Sequence, residues 1–197
     1  MLPLAGITIV SLEQAVAAPF ATRQLADLGA RVIKLERPGV GDFARGYDET
    51  VHGMSSYFVW LNRSKESLTL DLKHPEAGRI IHRLLEGADM FVQNLAPGAA
   101  ERLGLSAAAL TNRYPRLIIC DISGYGSSGP YRDKKAYDLL VQCETGLVSV
   151  TGTPQYGSNK ERRQKGENED KEAVQMAYSN HQTLQERKDL PHDRYDT

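Results

Sequence analysis

Scarcity sets the first limits on this chain. Among its 197 residues there are only two cysteines, Cys120 and Cys143. They form no CxxC motif and leave no second pair, so a disulfide framework and a zinc ribbon are both excluded. One falls in an apolar strand pattern and the other in an apolar helix pattern, which makes both of them reduced core thiols. The five histidines, His52, His74, His82, His181 and His192, show neither HExxH nor any other metal-ligand spacing, and no metal is expected. An excess of one charge is also missing. Lys and Arg total 24 against 25 Asp and Glu, a formal net charge of -1, so nothing in the overall charge attracts nucleic acid or an anionic membrane. An anionic ligand would have to be held by a local cluster. Apolar runs such as Leu117 to Cys120 fall far short of the roughly 18 to 20 residues that span a bilayer, and no transmembrane helix is expected. Met1 to Val10 has no basic n-region and no amphipathic Arg-rich presequence. A cytoplasmic location is the expectation, with a mitochondrial one as the alternative if a presequence has been trimmed. Neither a GxSxG elbow nor a P-loop occurs, which leaves hydrolase and NTPase readings without support.

What is present is a rhythm. Gly6 to Leu12 is a short β-branched run. Ala17 to Leu28 follows with a helical apolar period and Pro19 in its first turn, Gly29 ends it, and Arg31 to Glu36 reads as a second, buried strand. The pattern then repeats. Ser67 to Leu72 is a strand, Pro75 to Leu85 a helix, Asp89 to Asn94 a strand, Ser106 to Tyr114 a helix, Arg116 to Ile122 a strand and Tyr137 to Val150 a helical stretch. Such alternation predicts an α/β protein with a Rossmann-like, open, mostly parallel sheet and helices on both faces. After Pro154 the rhythm stops. The 43 residues from Gln155 to Thr197 hold 8 Lys or Arg and 9 Asp or Glu, with Val174, Leu184 and Leu190 as their only aliphatic β-branched or leucine positions. Such a segment buries too little apolar surface to offset chain entropy. The expected organisation is therefore one domain over residues 1–154 and a polar, disordered or out-of-family tail over residues 155–197, so that the sheet is incomplete.

In parallel α/β sheets ligands bind outside the carboxyl ends of the strands. The segments found there are Glu13 to Pro19, Glu36 to Asp42 and Gln93 to Gly98, with Leu61 to Ser67 lying between them and Ser123 to Pro130 beyond the last core strand. Small residues and cations alternate in them. Arg37, Arg63, Lys65 and Arg102 are placed to converge on phosphates, with backbone amides of the glycine-rich turns as further donors. Each has an ordinary alternative, a surface salt bridge for an arginine or a closed turn for Asn62 and Asn94. Gly39-Val40-Gly41 falls short of the dinucleotide fingerprint, which disfavours a bare NAD-binding domain.

Several segments, in order and in register, carry a resemblance. Leu4-Ala5-Gly6-Ile7 precedes Ala17-Ala18-Pro19-Phe20-Ala21-Thr22, and Leu25-Ala26-Asp27-Leu28-Gly29 leads through Val32-Ile33-Lys34-Leu35-Glu36 to Arg37-Pro38-Gly39. Asn62-Arg63-Ser64-Lys65, Val92-Gln93-Asn94 with Pro97-Gly98, Arg102-Leu103-Gly104, Ser123-Gly124-Tyr125-Gly126, Tyr137-Asp138 and Thr151-Gly152 follow. From Met1 to Pro154 the chain resembles the N-terminal part of family III coenzyme A transferases, the formyl-CoA and carnitine-CoA transferase kind (CaiB/BaiF type).

The resemblance implies an interlocked homodimer with a Rossmann-like large domain. It also implies a reaction that moves CoA from a short acyl-CoA to a carboxylic acid through an aspartyl-CoA intermediate. No permanently bound cofactor is implied, since the CoA thioester is a substrate. By the same resemblance CoA is held by Gln14, Ala15, Arg37, Asn62, Lys65, Asn94, Leu95 and Arg102, and Tyr47 lies beside the acid substrate. Val16 stands where the formyl-CoA branch has a polar residue, which argues against a formyl or oxalate substrate, and the resemblance of the matched segments leans towards succinyl, mesaconyl or citramalyl types. Tyr137 replaces the histidine of the related racemases, and Asp138 beside it is structural. The family's nucleophilic Asp opens a helix in a Gly- and Ala-rich motif. The corresponding stretch, Gln164 to Lys171, has carboxylates without that motif. No catalytic residue is assigned, and the chain alone is expected to be inactive. The alternative is a non-catalytic CoA-binding or interaction fragment.

Overall fold

The computed structural model describes residues 1–147, which fall into two units, one over Met1–Lys135 and one beginning at Ala136. Within the first unit five strands, β1 (Thr8–Leu12), β2 (Arg31–Glu36), β3 (Lys65–Thr69), β4 (Met90–Gln93) and β5 (Ile118–Asp121), form one parallel sheet in the order β3-β2-β1-β4-β5. The expected alternation and parallel sheet are both present. Of the second unit, helix α6 (Asp138–Glu144) is described. The expected boundary near Pro154 and the tail after it lie outside the described residues.

β1 is the central strand and β2 its interior neighbour, and both are buried almost throughout, although β2 carries Lys34 and Glu36 among its buried residues. Their side chains still alternate between two layers. Val10, Leu12, Leu35 and Phe91 face helices α3 (Ala77–Glu86) and α5 (Ala107–Arg113), where Ile81, Leu85 and Leu110 complete one cluster with Leu105 and Leu117. Ile9, Val32 and Val92 face the other way, onto Ala18 and Ala26 of α1 (Ala17–Asp27) and onto Ala30. Each fully buried large aliphatic side chain contributes about 1.5–3 kcal/mol, so these two layers fix the sheet and the helices on both its faces. Cys120 packs at the edge of the second layer.

Local chemistry sets the helix ends. Ser106 caps α5, its hydroxyl accepting from the Ala109 amide. α1 stops because Gly29 turns at φ +102, where a Cβ would lie 2.6 Å from the Leu2 Cβ, so only glycine fits. Three elements were not expected from the sequence: a 3-10 turn at Phe43–Gly46, helix α2 (Ser56–Asn62) and the single turn α4 (Ala99–Arg102).

Candidate coenzyme-binding site

The chain passes from β1 outward through β2 to β3, then returns to the other side of β1 for β4 and β5. The sheet therefore reverses direction between β1 and β4, and the crevice beyond the carboxyl ends of these two strands is where a doubly wound fold binds its ligand. There the loops meet through their own backbone. The Gln14 amide donates to Asn94 Oδ1 at 2.8 Å, and Asn94 Nδ2 donates back to the Gln14 carbonyl at 2.8 Å. The Leu95 amide donates to Gln93 Oε1 at 2.7 Å, and Gln93 Nε2 donates to Asp121 at 3.0 Å. Gln14, Ala15, Asn94 and Leu95, four of the expected residues, are thus brought together at the switch point.

An open cleft lies beside them, with Gln14, Leu95, Arg37, Leu70 and Leu72 among its lining residues together with the carboxylates of Glu13, Glu36 and Asp42. Arg37 is exposed. Its Nε donates to the Gly41 carbonyl at 2.9 Å, and its terminal nitrogens have no partner among the described residues. Arg102, on α4, is exposed as well and forms no ion pair among the described residues. It leans over Gly98 so closely that a Cβ there would sit 3.0 Å from a guanidinium nitrogen, and Gly98 itself turns at φ +74.

The other expected cations are engaged elsewhere. Arg63 is bound to Asp27 at 2.7 Å. The Lys65 side chain is 2% exposed and makes no part of the cleft wall: its ammonium meets Glu13 at 2.7 Å, the Pro19 carbonyl at 2.9 Å and Asn62 Oδ1 at 3.3 Å. Burial pulls its pKa below the ordinary lysine value, and the Glu13 carboxylate works against that fall. Asn62 bridges to a second buried ammonium, accepting from Lys34 Nζ at 2.8 Å. So Asn62 and Lys65 stand behind the switch-point loops in a buried polar layer.

That layer was not anticipated. Lys34, in the middle of β2, is held by Asp42 at 2.6 Å and lies 4.0 Å from Glu13. Thr22 donates to the other Glu13 oxygen at 2.6 Å. Asp42 Oδ1 accepts from the Ala15 amide at 3.0 Å and the Ala44 amide at 2.9 Å. The Asp42 amide donates to Glu36, which also takes a bidentate pair from Arg45 at 2.8 Å and the Ser67 hydroxyl at 2.7 Å. Burial by itself would raise the Glu36 pKa, but Arg45, the Asp42 amide and Ser67 together bring it down to about 2. One sequence signal does point to this layer: Lys34 and Glu36 are charges two residues apart in a strand otherwise read as buried, and a buried charge requires a partner.

Tyr47 ends the 3-10 turn, half-exposed, and stands in a line of rings. Its centroid lies 6.0 Å from Phe43 and 5.9 Å from Tyr57, and Trp60 and Phe20 continue the row. Glycines at dinucleotide-fingerprint spacing do occur after β5, at Gly124, Gly126 and Gly129, but no helix opens on them; turns and bends follow instead.

Fold and site together define a doubly wound parallel α/β domain with an open cleft beside its switch point and Arg37 in the cleft wall. The sequence model of CoA-transferase family III matches residues 4–165, and the chain belongs to that family. It is 40% identical over 153 residues to the succinyl-CoA:glutarate CoA-transferase of Mus musculus, covering 77% of this chain and 35% of that protein. To the formyl-CoA:oxalate CoA-transferase of Rhodopseudomonas palustris it is 39% identical over 150 residues, covering 76% and 35%. Among solved structures, a CAIB/BAIF family protein from Brucella suis superposes with a TM-score of 0.72 at 34% identity, over 78% of this chain and 42% of that one. The chain thus spans about a third of the length of the curated relatives it matches.

Proposed function

We propose that this chain provides the coenzyme A-binding part of a family III CoA transferase, which moves CoA from a succinyl-type acyl-CoA to a small carboxylic acid through an aspartyl-CoA intermediate. One observation carries the binding part of this reading: Arg37, in the wall of the cleft beside the switch point, and Arg102, on the single turn after the β4 loop, are exposed guanidinium groups that form no ion pair among the described residues. The phosphates of the nucleotide end suit the two arginines, and the pantetheine arm suits the leucine side of the wall, Leu70, Leu72 and Leu95, where the facing carboxylates Glu13, Glu36 and Asp42 are each paired with a buried or half-buried cation. Gln14 and Ala15 offer the arm their loop, Asn94 fixes that loop, and Asn62 and Lys65 support it from behind. Tyr47 lies beside the acid. The relatives, acting on glutarate in one case and oxalate in another, leave the choice of acid open, and Val16 counts against the oxalate type. The complete transferase is a homodimer in this reading, and the chain alone holds CoA without turnover because Gln164 to Lys171 carries no nucleophile motif.

Calorimetry with CoA at fixed salt tests the binding part. Arg37→Ala/Arg102→Ala should abolish binding, since each arginine contributes about 1.5–3 kcal/mol to charge-assisted contacts. Unchanged affinity would overturn it. The alternative, a non-catalytic CoA-binding fragment of a protein that transfers nothing, separates from the first when the chain is incubated with succinyl-CoA and a panel of dicarboxylates. New thioesters in the mass spectrum would assign catalysis to these 197 residues and overturn the expectation of inactivity.

A further inference from the structure

We infer that Asp42, anchored by Lys34, is a positioning residue that holds the Gln14–Ala15 turn in its ligand-binding shape; its effect on affinity rests on the CoA reading above. Three observations carry it. Ala15 has φ +63, one of three non-glycine residues in the left-handed region among the described residues. L-residues avoid that region, so something must hold Ala15 there. The Ala15 amide donates to Asp42 Oδ1 at 3.0 Å. Asp42 in turn has no freedom of its own. Its side chain is fully buried, Oδ1 takes the Ala44 amide as well, Oδ2 takes the Lys34 ammonium at 2.6 Å, and its own amide is tied to Glu36.

The arrangement explains an otherwise awkward charge. A carboxylate at the edge of a cleft meant for phosphates is repulsive unless it is neutralised, and Lys34 neutralises it from the buried side. With both oxygens committed, Asp42 is neither a nucleophile nor a proton donor. What it does is link the loop after β2 to the loop after β1. Glu13, next to the same turn, is fixed from the other side by Lys65 and Thr22, and Gln14 is fixed by Asn94. Ala15 is the one residue of this turn with a strained backbone, and Asp42 is its holder.

The test exploits that strain, because glycine enters the left-handed region freely. In the full chain, Asp42→Ala should weaken CoA binding about tenfold by calorimetry, and adding Ala15→Gly should restore it to within about threefold. Ile81→Val, far from the turn in the α3 layer, should lower the melting temperature and leave the affinity unchanged, which separates positioning from general stability. If Asp42→Ala does not fold, Asp42→Asn/Lys34→Met keeps the Oδ1 acceptor and removes both charges, and it should retain affinity to within about threefold. Hydrogen exchange at the Ala15 amide gives a readout independent of CoA: protected in the parent chain and in Asp42→Asn/Lys34→Met, exposed in Asp42→Ala. An unprotected Ala15 amide in the parent chain, undiminished CoA affinity in a folded Asp42→Ala, a lack of recovery with Ala15→Gly, or a loss of about tenfold or more in Asp42→Asn/Lys34→Met would each overturn the inference. Absence of CoA binding by the parent chain with a protected Ala15 amide would instead sink the CoA reading and leave the turn's holder in place.

Discussion

At the scale of single residues, burial decides which charges are available to a ligand. Lys65 and Arg37 both stand at strand ends in the sequence, yet one is enclosed with Glu13 and the other is open to solvent. Lys65→Met would leave the Glu13 carboxylate buried, with the Thr22 hydroxyl and, at 4.0 Å, Lys34 as its remaining support. Breaking one side of a buried pair costs about 3–5 kcal/mol, so the urea midpoint should fall steeply. Unchanged stability together with lost CoA affinity would instead make Lys65 a direct ligand. The Glu36–Arg45 pair sets a pH limit. Glu36 sits at about 2 against an ordinary 4.5, a depressed value, so its contribution is complete above 4.5 and is lost as pH falls from there towards 2. Arg45 is 43% exposed, and with solvent screening the contribution is about 1–2 kcal/mol. Arg45→Ala should narrow the difference in urea midpoint between about pH 6 and about pH 3, the remainder belonging to other depressed carboxyls such as Asp48; an undiminished difference would place the acid sensitivity wholly elsewhere.

At the scale of elements, what the sequence revealed depended on how each element is buried. β2 was legible to the residue from Val32, Ile33 and Leu35 following the Gly29 stop, even though Lys34 and Glu36 interrupt its apolar character. α1 and α5 were legible through their period and their ends, Gly29 and Ser106. Helix α2 was not. Its sequence, Ser-Tyr-Phe-Val-Trp-Leu-Asn, buries Leu61 fully and leaves Tyr57 and Trp60 about half-exposed, so it shows no apolar stripe, and its aromatic and β-branched content favours strand. A cap holds it instead. Ser55 is buried, its hydroxyl accepts from the Phe58 amide at 3.3 Å, and Asp48 receives the Ser56 amide at 2.9 Å. The two Ser56 and Thr50 amides hold the Asp48 carboxyl well below the usual carboxylate range. Ser55→Ala should cost about 1 kcal/mol, seen as a lower melting temperature and faster hydrogen exchange at the start of α2. Exchange unchanged there would mean that the ring row from Phe20 to Tyr47 sustains the helix without its cap. The site divided along the same line. The backbone loops at the switch point were legible from topology, and Gln14, Ala15, Asn94 and Leu95 do meet there. The buried layer behind them was not, because which carboxylate reaches Lys34 depends on how the loop after β2 folds back, and no periodicity encodes that.

At the scale of the molecule, the two ends of the sheet differ. β3 is an edge strand that opens on Lys65 and Glu66, and Glu66 is bound to Arg31 of β2 at 2.8 Å, so its edge carries charge of the kind that discourages pairing with another chain. β5 is the edge on the other side among the described residues. It is four residues long, Ile-Ile-Cys-Asp, and Ile118 is 62% exposed. Its sequence is apolar and β-branched with a single charge, the combination that recruits a strand from a second molecule. Both apolar layers lie inside Met1–Lys135, so the unit that carries the sheet does not depend on that edge for its core. Ile118→Lys should therefore leave the melting temperature nearly unchanged, since surface substitutions usually shift stability by less than about 0.5 kcal/mol. It should also raise the concentration at which the chain self-associates, as followed by sedimentation velocity. Equal association by the parent and the variant would show that the β5 edge is not the sticky one, and the row of half-exposed rings from Phe20 through Trp60 and Tyr57 to Phe43 would become the surface to charge next.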